Sequence, residues 1–372
     1  MKYCFSIFQF FFILLNLSAQ VNNRDWPVYR GKPDLTGRSE FEISSEPKLL
    51  WSLVTGNRTK SSPVISDGMI FFGNEKGILY AITSDGKIKW KYEGQSALDA
   101  PPLIYGNKVI IGSSDGLLRA VDKISGKLLW SYKTENQIAG SANFWESGNK
   151  SGVIVGSYDY CLHCVNPESG KPMWKIETEN FINGAPSVSG NKIVFGGCDG
   201  FIRIIEPLSG KQKDSVEVGV YIAASPALSA DRAYFGDYDG TIYCLDMSAV
   251  KIVWKTVASG ESGSTLAVPA VGNGLVIIGN EDKFLYCYDA SDGKLKWKFR
   301  TNGQITGSAI LTSDKILFAS IDGNVYLLRQ SDGTKLWNFY TGSPVSSSPA
   351  VTKDIFIILT DDGRILSFGE KK

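Results

Sequence analysis

The sequence predicts an all-β fold, an eight-bladed β-propeller of four-stranded antiparallel blades. Two markers recur about every 40 residues, and four short strands in a unit of that length are typical of a propeller blade. The first is a tryptophan slot, with intervals of 39, 40, 44, 40, 40, 43 and 40 residues, at Trp51, Trp90, Trp130, Trp174, Asp214, Trp254, Trp297 and Trp337. The second is an aspartate in a tight turn, with Lys76 in its first slot, at Asp115, Asp159, Asp199, Asp239, Asp282, Asp322 and Asp362.

Each unit contains four strand-like segments. A small-residue segment such as "SSPVI" or "APPLI" opens it, and an apolar segment such as "MIFFGN" follows. A hairpin completes it: "GLLRAVDKISGKLLWSYKT" holds an alternating apolar run, a turn rich in Gly, Ser or Asp, and a second run with the tryptophan.

The two ends of the repeat region complement each other. The last unit stops after its third strand, at "RILSFGEKK", whereas "PKLLWSL" (residues 47–53) precedes the first complete unit. We expect 47–53 to supply the outer strand of the eighth blade, which removes two open sheet edges. A solenoid, the alternative, predicts no such complementary fragments. The predicted organisation is therefore a lead segment at 20–46 and a single propeller domain at 47–369.

The N-terminus predicts export. Residues 1–19 combine one lysine, an apolar run and small residues at the end, as in a secretory signal peptide. A retained membrane anchor is the alternative, but the run is shorter than the roughly 20 residues of a spanning helix. Cys4 lies too early to be a lipidation site. We expect a periplasmic or secreted monomer with no transmembrane segment after cleavage.

Composition and motifs favour a binding protein over an enzyme. The formal net charge of +1 gives no nucleic-acid footprint. A single histidine, His163, excludes a site with two histidine ligands, and no phosphate-binding motif is present. No catalytic, cofactor-binding or metal-binding residues are predicted; a carboxylate pair for glycoside hydrolysis stays open, although none stands out from the repeat.

The segment "GSYDYCLHCV" resembles a C-x-x-C motif but is predicted to be an ordinary strand. Successive strand residues point to opposite faces, so Cys161 and His163 share one face and Cys164 lies on the other. The two cysteines are therefore not expected to bind one metal or to pair. Five cysteines follow the signal peptide, so at least one thiol is unpaired. Whether Cys161 and Cys198 pair stays open.

The turns predict two different faces of the ring. The aspartate turns lie on one, and the turns bearing Lys87, Lys127, Lys171, Lys211, Lys251 and Lys294 lie on the other. Blades 3 and 6 are expected to carry the longest loops. A partner or ligand surface is predicted on the aspartate side of blades 3–5, at Tyr158, Asp159, Tyr160, Phe181, Asn183, Asp199, Tyr221, Asp237, Tyr238 and Asp239. The alternatives are that the rings fill space between blades and that the aspartates only form turns.

The repeat motifs resemble a known family. "AVDKISGKLLW", "CLDMSAVKIVW" and "CYDASDGKLKW", with the lead "DWPVYRGKPDLTG", are similar to the tryptophan-docking repeats of quinoprotein-type propellers, which include dehydrogenases dependent on pyrroloquinoline quinone (PQQ) and the BamB subunit of the outer-membrane assembly machinery. The resemblance covers roughly residues 25–369. It implies that each tryptophan ring packs against the Gly-Lys turn of a neighbouring blade. Asp214 departs from the pattern and predicts one loosened contact.

The resemblance also implies function. It favours a non-enzymatic scaffold that binds a protein or peptide in the cell envelope, in outer-membrane or envelope protein assembly, without a cofactor. A PQQ-dependent dehydrogenase using calcium is the second hypothesis, although the chain lacks the long inserted loops and adjacent cysteine pair of those enzymes. A carbohydrate-binding propeller with its site on the tyrosine-rich face is the third.

Overall fold

The computed structural model describes residues 25–258 and 263–370, which form eight four-stranded antiparallel sheets. Numbered in chain order, the strands of blades 1–4 are β2 (Val64–Ser66), β3 (Met69–Phe72), β4 (Ile78–Thr83), β5 (Ile88–Glu93), β6 (Leu103–Tyr105), β7 (Lys108–Ile111), β8 (Leu117–Asp122), β9 (Leu128–Lys133), β10 (Asn143–Ser147), β11 (Lys150–Gly156), β12 (Cys161–Val165), β13 (Pro172–Glu177), β14 (Ser187–Ser189), β15 (Lys192–Gly196), β16 (Phe201–Ile205) and β17 (Gln212–Glu217).

Blades 5–8 continue the same order, and β1 belongs to the last of them. Their strands are β18 (Ala227–Ser229), β19 (Arg232–Gly236), β20 (Thr241–Asp246), β21 (Lys251–Val257), β22 (Ala270–Gly272), β23 (Leu275–Gly279), β24 (Phe284–Asp289), β25 (Leu295–Arg300), β26 (Ile310–Leu311), β27 (Lys315–Ala319), β28 (Asn324–Arg329), β29 (Lys335–Tyr340), β30 (Ala350–Val351), β31 (Ile355–Leu359), β32 (Arg364–Gly369) and β1 (Lys48–Val54). The predicted eight-bladed propeller is confirmed.

The predicted closure of the ring is also confirmed. Strand β1 pairs antiparallel with β32, so the eighth sheet has the order β1-β32-β31-β30. Thr55 N–H donates to Gly363 O at 3.0 Å and continues the pairing past the end of β1. The predicted pairing therefore closes two strand edges that would otherwise be open.

The core lies between neighbouring sheets. The second and third strands of each blade are buried on both faces, because each sheet is packed between two others; β12 is buried at all five positions. The outer strands alternate in exposure instead, as in β1 and β5, since only one of their faces meets a neighbour.

The lead segment runs along the inner strands of the ring, an arrangement that the sequence did not predict. Its backbone carbonyls accept hydrogen bonds of 2.7–2.9 Å from backbone N–H groups of the innermost strand in six blades. The pairs are Ile65 N–H to Trp26 O, Ile104 to Pro27, Val188 to Pro33, Leu228 to Asp34, Val271 to Thr36 and Leu311 to Gly37. Residues 26–39 therefore join blades that lie on different sides of the ring.

Arg30 lies at the centre of this segment and is 1% exposed. Its guanidinium donates to Ala309 O at 2.5 Å and to Pro269 O at 3.3 Å, in blades 7 and 6. Burial lowers the pKa of Arg30 to about 10, so the side chain remains charged at neutral pH. A Cβ at Gly37 would collide with this guanidinium, which explains a glycine at that position.

The tryptophan docking implied by the family resemblance is present at six of the seven tryptophans that occupy the repeat slot. Each ring lies on a glycine with positive φ in the next blade, and its Nε1–H donates to a backbone carbonyl of the same turn at 2.7–3.1 Å. The ring–glycine pairs are Trp51 and Gly86, Trp90 and Gly126, Trp130 and Gly170, Trp174 and Gly210, Trp254 and Gly293, and Trp297 and Gly333. We call each of these a tryptophan junction.

Two junctions differ. Trp337 faces the eighth blade, whose third and fourth strands come from opposite chain ends, so its ring packs on Phe356 and Phe368 instead of a turn. Between blades 4 and 5, Asp214 occupies the tryptophan slot and is exposed. The facing turn also departs from the pattern, because Val250 takes the glycine position with φ 52°.

Several sequence-based expectations need adjustment. The prediction of a long loop in blade 3 was wrong: the extra residues lengthen the hairpin of β10 and β11, whose turn has only two residues. The blade 6 loop falls partly on residues 259–262, and the signal peptide on 1–19, both outside the described residues.

Cys161 and Cys198 are free thiols. Among the described residues, no helix is long and apolar enough to cross a membrane.

Candidate binding face

The candidate site lies on one face of the ring, which we call the aspartate face. It consists of the turns between second and third strands and the connections between blades, which share a side because strands alternate in direction. The two kinds of segment are bonded together: Tyr158 N–H donates to Gln137 O, Cys198 to Phe181 O and Tyr238 to Tyr221 O, each at 2.9 Å.

A central funnel of about 460 Å³ opens on this face and is lined by the connections between blades. Tyr29 of the lead segment lines it and approaches the hydroxyls of Ser308 and Ser348 at 3.1 and 3.3 Å. The charged side chains among the described lining residues are Lys60 and Asp99. Burial raises the pKa of Asp99, and its buried Oδ1 has no hydrogen-bond partner in the described part of the chain.

Four of the predicted surface residues form one cluster beside the funnel. The rings of Tyr158 and Phe181 stack at a centroid distance of 4.5 Å, and Tyr160 packs against Phe181 at 5.3 Å. Tyr158 Oη donates to Asn183 Oδ1 at 2.6 Å, and the Asn183 amide donates to Ala223 O at 2.9 Å. These hydrogen bonds therefore hold the cluster on its buried side, whereas Tyr160 is 43% exposed.

Tyr160 has an unusual backbone conformation. Its φ is 69°, in the left-handed region where glycine stands in most of the equivalent turns. A tyrosine there is strained by of order 1 kcal/mol relative to glycine. In return, the ring projects from the turn toward Phe181.

A second aromatic pair stands at the junction of blades 4 and 5. Tyr221 and Tyr238 are 56% and 52% exposed, and their backbones are hydrogen-bonded. Asp239 beside them is exposed. Asp237 is buried, because its carboxylate accepts bonds from Thr241 N–H and the Tyr243 hydroxyl.

Most of the turn aspartates already have partners in the protein. An aspartate in the turn bonds a side chain four residues later: Asp115 with Arg119, Asp159 with His163, Asp199 with Arg203, Asp282 with Tyr286 and Asp322 with Tyr326. In the sequence, the signal for this pairing is an Arg, His or Tyr four residues after the turn aspartate. Asp159 and Asp199 therefore have largely buried carboxylates that are paired within the protein, so their role is structural.

The pKa values of these aspartates report the pairing. Burial alone raises the pKa of Asp115 and of Asp159, but hydrogen bonds from Arg119 and His163 outweigh it, and each pKa falls to about 2. The pKa of Asp199 is lowered in the same way by Arg203. All three carboxylates are ionised at neutral pH.

The predicted charge contrast between the two faces is weak for the same reason. Arginines neutralise Asp115 and Asp199 on the aspartate face. On the opposite face, Lys87 and Lys294 lie 2.7 Å from Asp85 and Asp292. Exposed aromatic rings, rather than net charge, therefore distinguish the aspartate face of blades 3–5.

Comparison with known proteins places the chain in a family. The family model described as outer membrane protein assembly factor BamB matches residues 43–156, 141–219, 198–309 and 262–371. The chain belongs to this family. Among curated proteins, no sequence matches the chain.

Solved structures of BamB-family and related propellers share the fold. BamB from Moraxella catarrhalis superposes with a TM-score of 0.75 at 17% identity, covering 87% of this chain and all of that one. A quinohemoprotein alcohol dehydrogenase from Pseudomonas putida gives 0.80 at 15% identity, covering 94% and 81%. The computationally designed protein Ika8 gives 0.76 at 17% identity, covering 87% and 100%. At these identities the similarity shows the fold alone.

The described funnel lining of this BamB-family chain carries little positive charge for PQQ. That cofactor carries three carboxylates, and a buried anion requires cationic partners. Lys60 is the single cationic side chain among the described lining residues, and Asp99 interacts with it. Among these residues, Lys60 alone could pair with a carboxylate of the cofactor.

Proposed function

We propose that this protein is an exported, non-enzymatic propeller that binds a protein or peptide through the aspartate face of blades 3–5, in envelope protein assembly. The observation that carries the proposal is the exposed aromatic surface formed by Tyr160, Phe181, Tyr221 and Tyr238. Tyrosine rings supply contact area at low entropic cost and recur at interface hot spots. Membership of the BamB family supports a role in outer-membrane or envelope assembly, with a location in the periplasm or outside the cell.

The surface is suited to an extended or loop segment of a partner. The stacked rings of Tyr158 and Phe181 form a rigid floor, and Tyr221 and Tyr238 provide a second contact across the blade 4–5 junction. Asp239 beside Tyr238 offers an exposed carboxylate for a basic or amide group. The partner would thus be recognised by aromatic packing and a few polar contacts.

Photocrosslinking in the native envelope tests the surface. A benzophenone amino acid is placed at Tyr221 and, as the matched control, at Gln304. Gln304 is exposed and occupies the equivalent place in the connection between blades 6 and 7. Its backbone carbonyl accepts a hydrogen bond from Ile321 N–H, just as the carbonyl of Tyr221 accepts one from Tyr238 N–H. We expect a specific crosslinked protein from Tyr221 and at least ten-fold less from Gln304. Equal crosslinking at both positions would contradict the assigned surface.

Two further measurements address the alternative functions. Dye reduction after addition of PQQ and calcium to the purified protein would show an enzyme and overturn the scaffold proposal. Binding on a glycan array that is lost with Tyr160→Ala and Tyr238→Ala would assign the same surface to a carbohydrate. We expect neither turnover nor saccharide binding.

A further inference from the structure

Blade 3 departs from the repeat at two positions whose side chains contact the same aspartate. Cys161 begins β12 where the equivalent strands of blades 2 and 4 begin with Leu117 and Phe201. His163, two residues later on the same face, stands where those blades have arginines. The Cys161 thiol donates to the backbone carbonyl of Asp159 at 3.5 Å, and His163 Nε2 lies 3.0 Å from the Asp159 carboxylate.

The three side chains form a compact group. One ligand atom from each of Asp159, Cys161 and His163 lies within 4.8 Å of the other two. His163 Nε2 is 3.0 and 3.1 Å from the two carboxylate oxygens of Asp159. Cys161 is 6% exposed and His163 4%.

The other ring nitrogen of His163 is also held. Tyr132, on β9 of the neighbouring blade, places its hydroxyl 2.9 Å from His163 Nδ1. A histidine that ligates a metal through one nitrogen usually has its other nitrogen fixed by a hydrogen-bonding group. Tyr132 meets that requirement, and its ring packs edge-on against the imidazole at 5.6 Å.

We propose that Asp159, Cys161 and His163 form a binding site for one divalent transition-metal ion, best matched by Zn²⁺. A thiolate, an imidazole and a carboxylate are the donors that zinc takes in a tetrahedral site, with water at the fourth position. Bond lengths of about 2.0 Å to N and O and about 2.3 Å to S require ligand atoms roughly 3.5 Å apart. Because the three ligand atoms lie within 4.8 Å of one another, no pair has to approach by more than about 1.3 Å.

Binding of the metal ion would displace one proton, that of the Cys161 thiol. In the metal-free protein, His163 Nε2–H donates to Asp159. On binding, Nε2 becomes the ligand, the imidazole proton resides on Nδ1 and donates to the Tyr132 oxygen, and the thiol proton of Cys161 is released to solvent. The site differs from the C-x-x-C interpretation, because Cys164 lies on the opposite face of β12 and takes no part.

The test uses the full mature chain, reduced and freed of metal with a chelator. Zn²⁺ affinity is measured by competition with a chromophoric chelator, and Co²⁺ is added as a spectroscopic probe. We expect one equivalent of Zn²⁺ with a sub-micromolar Kd, and a Co²⁺ spectrum with a thiolate-to-metal charge-transfer band. Cys161→Ser should abolish the band and weaken Zn²⁺ binding by at least 100-fold, and Tyr132→Phe should weaken it by about ten-fold.

Matched variants separate loss of the site from loss of the fold. His163→Arg reproduces the Asp115–Arg119 and Asp199–Arg203 pairs of the adjacent blades, so it should fold while losing the ligand. Cys198→Ser and Cys164→Ser should keep the affinity of the natural chain. The proposal is overturned if the natural chain binds Zn²⁺ no tighter than 100 µM, or if Cys161→Ser and a folded His163→Arg bind as tightly as it does.

Discussion

The junction between blades 2 and 3 and the junction between blades 4 and 5 occupy equivalent places in the ring but are built differently. At the first, Trp130 lies on Gly170 and donates to Pro167 O at 3.0 Å. At the second, Asp214 and Val250 replace the ring and the glycine. Both halves of the contact are replaced together, because a ring requires a residue without a Cβ beneath it.

The same two junctions differ on the aspartate face. At the first, Asp159 accepts an N–H bond from Glu135 in the connection that leaves blade 2. At the second, no bond to the Asp239 carboxylate occurs within the described residues, and Tyr243 bonds Asp237 instead. The blade 4–5 junction is therefore the weaker one on both faces, and it is the one flanked by Tyr221 and Tyr238.

The largest effect is expected from Gly170→Val. This change introduces at the blade 2–3 junction the residue that Val250 provides at the blade 4–5 junction. A Cβ there would lie 2.6 Å from the Trp130 ring at φ 67°, so the ring must leave. We expect the free energy of unfolding to fall by about 3–5 kcal/mol in urea titrations. Gly106→Val is the control, because it has a similar φ of 56° and nothing within 4 Å. Equal losses would assign the effect to backbone strain alone.

Removing a turn aspartate should destabilise a blade in which that carboxylate accepts an N–H bond from the connection leaving the preceding blade, and should have little effect where no such bond is seen. Asp322 accepts bonds from Asn302 N–H, Asn324 N–H and the Tyr326 hydroxyl at 2.7–3.0 Å. Asp322→Ala leaves these groups unpaired and should cost about 2–3 kcal/mol by urea unfolding. Asp239→Ala should change stability by less than about 0.5 kcal/mol. A comparable loss in both variants would show that Asp239 has a structural role.

Acid should weaken the paired blades selectively. The folded-state pKa of Asp115 is about 2, below the ordinary 3.8, so its contribution is complete above about pH 4 and is lost as the pH falls toward 2. Asp115→Asn should lower the free energy of unfolding by about 2 kcal/mol at pH 7, and the difference should shrink between pH 4 and pH 2. Asp239→Asn serves as the control. A difference for Asp115→Asn that is independent of pH would contradict the assignment.

The smallest effect is expected from restoring the weak junction. Asp214→Trp alone should not stabilise, since Val250 has a Cβ where the ring would lie. Asp214→Trp with Val250→Gly should gain about 1 kcal/mol over the sum of the single changes. A double-mutant cycle by thermal unfolding measures this coupling. Additive single effects would mean that the two positions do not contact.

Much of the fold followed from the sequence because the repeat carries its own alignment. The tryptophan slot and the aspartate turn gave the blade count, and the fragment 47–53 gave the closure. The lead segment was not predictable, because its carbonyls bond to backbone groups that leave no side-chain signal. The blade 3 insertion was misassigned because "NFWESGNKSG" combines turn residues with a strand that continues through them.

The candidate site was predicted in part. The sequence grouped Tyr158, Tyr160 and Phe181 correctly, since their turns and connections adjoin in the repeat. It did not separate the exposed Asp239 from the buried Asp237, because only the geometry shows which carboxylate Tyr243 reaches. The approach of Cys161 and His163 to Asp159 depends on side-chain direction within a single turn, which spacing alone did not resolve.

The pairing of β1 with β32 has a consequence for biosynthesis. Thr55 bonds Gly363 across 308 residues, so the first strand made finds its partner only after the last blade has left the ribosome. Contacts so distant in sequence form slowly. Until then, blades 1–7 must fold as an open arc with two exposed sheet edges. The interval between synthesis and ring closure is therefore the stage at which the chain is most vulnerable to aggregation and proteolysis.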